Sequence, residues 1–443
     1  MQAESVSKLC GTVMNFFGKT VAQVDKTVKF VKRKSKVDAQ LFSEVLISGN
    51  LSDATISLEK LCLLMKARGV RITKQGLDQR FNPEATLLMK HLMSEALKQF
   101  REEREEVLDL LKRFAGVKMV DSSGIELPAN LKELFRGYGG GASEAALKLQ
   151  TMFDYTQGQI DEVVLTDARK SDQGFKGHWN WIKEGTLHLQ DLGYFDVKFF
   201  EQVQEKQAYF ISRYLNPTTI MNEGGEPLDL LSELRSAGPL FDTKVRLGKK
   251  GSVAVRLIAF RLPDEEAEKR IRKLKEKMKK KKGKSPTQET VELTKWSIYI
   301  TNVPEDWLSA EQIYLIYTLR WQIELFFKVC KSEAGIDKIS SKKTDRVMCQ
   351  LYAKLICVVT ITYLCFPVRW CKDQELSLHK AYKTLRLKAF DFFKALKSPY
   401  RFSMFIKSFL SDLTDFSLKD KYRKKRRLTH QRIMDSAGQE VFA

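Results

Sequence analysis

The sequence predicts an α/β fold: a sheet domain interrupted by a β-rich insertion and flanked by helical N- and C-terminal regions. Three observations carry this. Apolar residues recur at helical spacing over residues 1 to about 100 and again from Ser309 to about Leu413. From Val117 the period shortens to that of strands, with helical stretches interleaved, which is the pattern of a sheet covered by helices. Between residue 214 and about 300, a Pro/Gly-rich run, a hairpin-like VRLGKKGSVAVRLIAFRLP and a Lys-rich helix break that pattern. The divisions that follow are 1–115, 116–213, 214–303, 304–345 and 346–443.

Within 1–115, SLEKLCLLMKARGVRITKQGLDQRFNPEATLLMKHLMSEAL predicts three short helices separated at Gly69 and at Asn82-Pro83. Two readings of it stand side by side. One is a helix-turn-helix, with Thr73 capping a recognition helix that carries Lys74, Gln75, Gln79 and Arg80; the other is a small bundle with a solvated polar face. A long charged helix is expected from Pro83 to Phe114. In the next division VKMVDSS, DEVVLTDA, TLHLQDLGYFD and AYFISR read as strands, and SEAALKLQTMF as a helix. TVELTKWSIYITNVP closes the insertion, and the chain ends in KDKYRKKRRLTHQR.

Composition bounds the function. Lys and Arg total 76 against 55 Asp and Glu, a formal charge of +21, which favours a polyanionic partner. The run EEAEKRIRKLKEKMKKKKGK and the tail Lys419 to Arg432 read either as backbone-tracking surfaces or as solvated charge. Seven cysteines without a C-x-x-C pair fit neither a disulfide framework nor a zinc site, and Cys349, Cys357 and Cys365 read as reduced core residues. The apolar stretch Leu355 to Phe366 is too short to span a bilayer and reads as a core helix, so no membrane partner is expected. The N-terminus carries an early Glu and no basic leader before an apolar core, so the cytoplasm is the expected compartment.

The most informative segment is SAEQIYLIYTLRWQIELFFKVCKSEAG, a helix opened by a Ser309/Gln312 capping box and stopped at Gly335. At about 100° per residue, Tyr317, Arg320, Glu324 and Lys331 share one polar stripe, while Leu319, Ile323, Phe326 and Cys330 form a buried side. Geometry alone permits an ordinary amphipathic helix with an Arg320–Glu324 ion pair. The spelling says more. Tyr, two residues, Arg, three residues, Glu, six residues, Lys resembles the signature of DDE-type bacterial insertion-sequence transposases, the insertion sequence four family.

The resemblance implies a ribonuclease-H-like catalytic core in which two aspartates join Glu324. The matching positions are Asp121, in VKMVDSSGIELP, and Asp191, in LHLQDLGYFD. Either alone reads as a turn-forming residue at a strand end; Asp167 and Asp172 are rival acids. As the resemblance implies, Asp121, Asp191 and Glu324 hold two Mg²⁺ ions, with Mn²⁺ as a substitute, while Tyr317, Arg320 and Lys331 contact DNA phosphates. Trp296 matches a tryptophan that stacks on a base flipped from the DNA end, and reads equally as a half-buried strand residue.

The expected partners are double-stranded DNA, as terminal inverted repeats and target, and a second copy of the chain in the synaptic complex. The expected place of action is the bacterial cytoplasm, at the nucleoid when DNA is bound. A covalent recombinase is disfavoured, because none of the five histidines has an arginine three residues later and no His-x-His pair occurs. A DNA-binding module that kept the sheet only as scaffold is the other class, disfavoured by the presence of all three acids.

Overall fold

The computed structural model describes residues 3–32, 35–101, 109–139, 143–283, 285–368 and 376–419. The N-terminal helices are α1 (Ala3–Asn15), α2 (Val21–Val28), α3 (Ala39–Ser52), α4 (Leu58–Ala67), α5 (Lys74–Arg80) and α6 (Pro83–Gln99). Strands β1 (Gly116–Leu127), β2 (Ala145–Asp154), β3 (Gln159–Asp167) and β4 (Thr186–Gln190) follow. Then come α7 (Val197–Glu205), β5 (Tyr209–Arg213), β6 (Ile220–Met221), α8 (Leu230–Ser236), β7 (Leu240–Leu247) and β8 (Val253–Arg261). The chain continues through α9 (Asp264–Lys282), α10 (Gln288–Thr294), β9 (Trp296–Thr301), α11 (Ala310–Tyr317) and α12 (Trp321–Ser332). It closes with α13 (Thr344–Leu364), α14 (Leu378–Leu387), α15 (Ala389–Ala395) and α16 (Pro399–Phe416).

These elements group into two units. The described residues of 1–105, 122–170 and 322–428 form the first, and those of 106–121 and 171–321 the second.

The first unit is built on α13, a 21-residue helix whose residues from Val347 to Leu364 are all buried. By length and composition it could cross a membrane, but its apolar window lies wholly inside the fold, packed on α3 and α6, so it is the core helix expected of that stretch. The three predicted short helices are α4, α5 and α6. Thr73 and Asn82 cap the last two through Gly76 and Ala85 amides, and Gly69 turns the chain at a φ of +88° that a side chain would resist. The charged helix stops at Gln99, not Phe114, because Phe100 leaves helical geometry and buries its ring in a stack on Tyr363.

SEAALKLQTMF is not helical. It forms β2, paired antiparallel with β3 from Leu147↔Asp167 to Asp154↔Gln159. Helix-favouring Ala, Leu and Lys are overridden because both faces of the strand are buried and the neighbouring strand satisfies its backbone. The hairpin is closed by Asp154, whose carboxylate accepts from the Thr156 and Gln157 amides, and by Gly158 at φ +63°.

In the second unit the strand order is β1-β4-β5-β9-β8-β7-β6. β1, β4 and β5 run parallel, and β9 joins β5 antiparallel. Residues 214–303 therefore extend this sheet through β9, β8, β7 and β6 and do not stand apart from it. The expected hairpin is β7-β8, turned at Gly248 and Gly251 with positive φ, and the Lys-rich helix is α9, stopped by Gly283. Fully buried Phe199, Phe200, Phe210, Leu257 and Ile300 form the core, with Phe200 stacked on Phe210 at 4.3 Å.

Candidate active site

Two aspartates stand where the pairing of two neighbouring parallel strands stops, Asp121 within β1 and Asp191 just past the end of β4. The register of β1 on β4 runs as far as Val120↔Gln190, so Asp121 and Asp191 are the next residues along the two neighbouring segments. Both are reachable from solvent, with side-chain exposures of 20% and 44%. Asp191 also initiates a 3₁₀ turn, Leu192–Tyr194. Of the rival acids, Asp172 approaches from the same side: it and Asp191 lie 3.4 and 3.9 Å from where a Cβ on Gly193 would stand. Asp167 instead accepts a hydrogen bond from the Arg136 amide at 3.2 Å.

One cation serves both acids. The Arg320 guanidinium stands 3.8 Å from Asp121 Oδ2 through Nη1 and 3.9 Å from Asp191 Oδ1 through Nε. At 15% exposure its charge is only partly screened, so it offsets the mutual repulsion of the two carboxylates.

The segment carrying Arg320 starts as expected, with the Ser309/Gln312 capping box formed in both directions. It is not one continuous α-helix, however. Thr318–Arg320 form a 3₁₀ turn between α11 and α12, whose larger rotation per residue shifts the polar stripe expected at α-helical period. The apolar side is buried as predicted: Leu319, Ile323, Phe326 and Cys330 are each at most 2% exposed. Tyr317 is buried too, and its hydroxyl donates to the Gln190 carbonyl at 3.1 Å. Burial pushes that phenol well above its usual pKa. Glu324 and Lys331 lie on α12 in the first unit, both half-buried, Glu324 one turn beyond Arg320 along the chain. Gly335, at φ +56°, ends this segment as expected.

Trp296 opens β9 and is partly buried against the unit's core. It also lines an open pocket of about 150 Å³ with Arg213, Tyr214, Asn216 and Arg270. Arg270 belongs to the Lys-rich helix α9 and donates to Ser297 Oγ at 3.0 Å. Sequence reasoning did not single out Arg213 or Trp321, the latter 57% exposed beside Arg320; Arg270 lies in the charged run that it read as either a backbone-tracking surface or solvated charge.

Three charged residues of α5 are engaged inside the first unit, while Gln75 and Gln79 are exposed. Lys74 pairs with Glu59 at 2.6 Å, Arg80 reaches Ser35, and Asp78 is held by Lys343 and Arg346. The basic tail beyond Lys419 lies outside the described residues. Cys349, Cys357 and Cys365 are buried, as core residues should be.

The donor set of Asp121 and Asp191 is all carboxylate oxygen, the chemistry a hard divalent cation takes. Among the described residues, no group of three or more His, Cys, Asp or Glu side chains stands close enough to hold a metal ion. The two aspartates are therefore brought together with Arg320, while Glu324 stands on α12 in the other unit.

Comparison with known proteins sets these residues in context. A family model described as a transposase DDE domain matches residues 112–360, more than half of the chain. The transposase for insertion sequence element IS231F of Bacillus thuringiensis subsp. israelensis is 29% identical over 385 residues, covering 81% of this chain and 80% of that protein. The transposase for IS231D of B. thuringiensis subsp. finitimus is 28% identical over 448 residues, covering 95% and 93%. That for IS1151 of Clostridium perfringens is 28% identical over 441 residues, covering 92% and 91%. A cryo-EM structure of the piggyBac transposase synaptic complex with hairpin DNA aligns with a TM-score of 0.48 at 10% identity, over 95% of this chain and 87% of that one.

Proposed function

The chain belongs to the DDE transposases, and from that premise we propose that it is a bacterial insertion-sequence transposase of the insertion sequence four family, acting at terminal inverted repeats by cut and paste. The observation that carries the reading is the reach of Arg320, four residues before Glu324, to both Asp121 and Asp191. The parallel run β1-β4-β5, with the two aspartates just past the last paired residues of β1 and β4, supports a ribonuclease-H-like core.

Asp121, Asp191 and Glu324 supply the carboxylates of the site. When bound there, two Mg²⁺ ions, or Mn²⁺ in their place, provide an activated oxygen nucleophile and neutralise the leaving oxygen. Arg320 balances the aspartates before DNA arrives and, with Lys331, meets the phosphates of the transferred end. Tyr317, buried with its hydroxyl on Gln190, steadies the strand end that presents Asp191 and meets phosphate only at its edge. Trp296 and the arginines of its pocket fit a base turned out of the duplex, the ring stacking and the guanidiniums meeting the backbone.

The reaction order is nicking of one strand, attack of the freed 3′ hydroxyl to form a hairpin on the element's end, reopening, and attack on target DNA. The working form is a homodimer pairing two ends in the cytoplasm. The test is a supercoiled plasmid carrying the element's ends: nicking in Mg²⁺ that ceases in EDTA is expected, and binding without any metal-dependent cutting would favour a DNA-binding module instead.

A further inference from the structure

Glu333, just past the end of α12, is a carboxylate only 5% exposed, and α14 surrounds it with bases. His379, Lys383 and Arg386 recur at i, i+4 and i+7 and share one face of that helix. His379 Nδ1 and Arg386 Nη1 each stand 3.1 Å from a Glu333 oxygen, and Lys383 Nζ stands at 3.9 Å. Arg386 also donates to the Glu333 carbonyl and lies over the Tyr382 ring at 5.4 Å. Ala381 and Leu385 on the far side of α14, and Tyr382 flanking the basic face, are buried, so that face is presented by a fixed element.

The charges do not balance. One buried carboxylate needs one cationic partner, and the Arg386 guanidinium supplies it through Nη1, while its Nη2 is held by the Glu333 backbone carbonyl. Lys383 is surplus: it is 55% exposed and at the outer limit of an ion pair. Lys328 of α12, exposed, is close enough to act electrostatically on His379. Surplus lysines gathered around a neutralised acid repel one another and are stabilised by an added anion. Nine residues of chain separate Glu333 from Glu324, about 13 Å along a helix axis, or roughly four base steps of one DNA strand.

We infer that this face of α14 is a DNA-backbone site, in which Lys383 and the neighbouring Lys328 hold phosphates a few nucleotides from the bond that Glu324 serves. It rests on the reading of the chain as a DNA-cutting transposase. The site reads no sequence, because its groups are charges on one face with no base-edge partner.

The test is a salt titration of binding between the full-length protein and a fluorescein-labelled random-sequence duplex in EDTA. Replacing Lys328→Gln and Lys383→Gln together should lower the slope of log affinity against log salt by about 2, at roughly 0.9 for each phosphate no longer neutralised. The control pair Lys32→Gln and Lys60→Gln removes two lysines of the same unit that are ion-paired to Glu84 and Asp53, and should leave the slope unchanged. A melting temperature matching the parent's shows that folding is preserved. Arg386→Gln, which leaves buried Glu333 without its counter-ion, should lower the melting temperature. A wild-type slope in the Lys328/Lys383 pair, or an equal loss in the control pair, overturns the α14 site. If the parent still nicks plasmid in Mg²⁺, the transposase reading survives that result; a parent that neither binds the duplex nor nicks sinks both.

Discussion

Tyr317 donates its hydroxyl to the backbone carbonyl of Gln190 at 3.1 Å, tying the last residue of β4 to the helix that leads into Arg320. A buried phenol with one good acceptor is held in a single rotamer, so Asp191, the next residue, inherits a fixed start.

Tyr317→Phe keeps the ring in its edge contact with Tyr299 at 5.2 Å and removes only the hydrogen bond. The expected cost is about 1 kcal/mol of stability. The nicking rate should fall while end binding holds. Urea denaturation and single-turnover nicking check this; a variant unchanged in both would show that the bond positions nothing.

Arg320→Lys retains the charge but loses the fork that reaches two carboxylates, since an ammonium is a single point. Nicking should drop at least about tenfold, roughly 1.4 kcal/mol of barrier. A wild-type rate would show that contact with both aspartates is not needed.

How much of this was legible in the sequence depended on the scale of the pattern. The capping box at Ser309 and Gln312, the cap at Thr73, the break at Asn82-Pro83 and the strands around Asp121 and Asp191 are local signals, and each appears where the residues put it. The strand over Ala145–Asp154 was hidden, because its residues favour a helix and only the pairing with Gln159–Asp167 reverses that preference. The 3₁₀ turn at Thr318–Arg320 was hidden for a similar reason. Helical period alone does not reveal a tightened turn, and that turn lies in the segment that brings Arg320 to the aspartates.

Gly335→Ala should destabilise the first unit. Its φ of +56° disfavours any side chain, and a Cβ would stand 2.7 Å from the Ala54 methyl carbon. The left-handed conformation alone costs about 1–2 kcal/mol. Thermal melting is the check; an unchanged melting temperature would mean that this turn repacks freely.

Acid should unfold the second unit through its histidines. Burial pushes His188 down to about 3 and His178 to about 4. Below the ordinary histidine pKa of 6.5 the unfolded chain binds protons that the folded chain refuses. Stability is therefore full above pH 6.5 and falls as pH drops toward 4, by up to about 1.4 kcal/mol per pH unit for each group. His188→Asn should flatten that slope in denaturation midpoints measured between pH 7 and 4.5; the parent slope in this variant would remove His188 from the account.

The central claim is that Asp121, Asp191 and Glu324 share one metal site, and iron-directed cleavage of the polypeptide reads it without relying on activity. Fe²⁺ with ascorbate and peroxide, added to the full-length protein bound to an end-bearing duplex, cuts the backbone beside the bound ion. The account predicts cuts near residues 121, 191 and 324 that all fade when Mg²⁺ is added in excess. Cuts near 121 and 191 with none near 324, or cuts that Mg²⁺ leaves untouched, would contradict it.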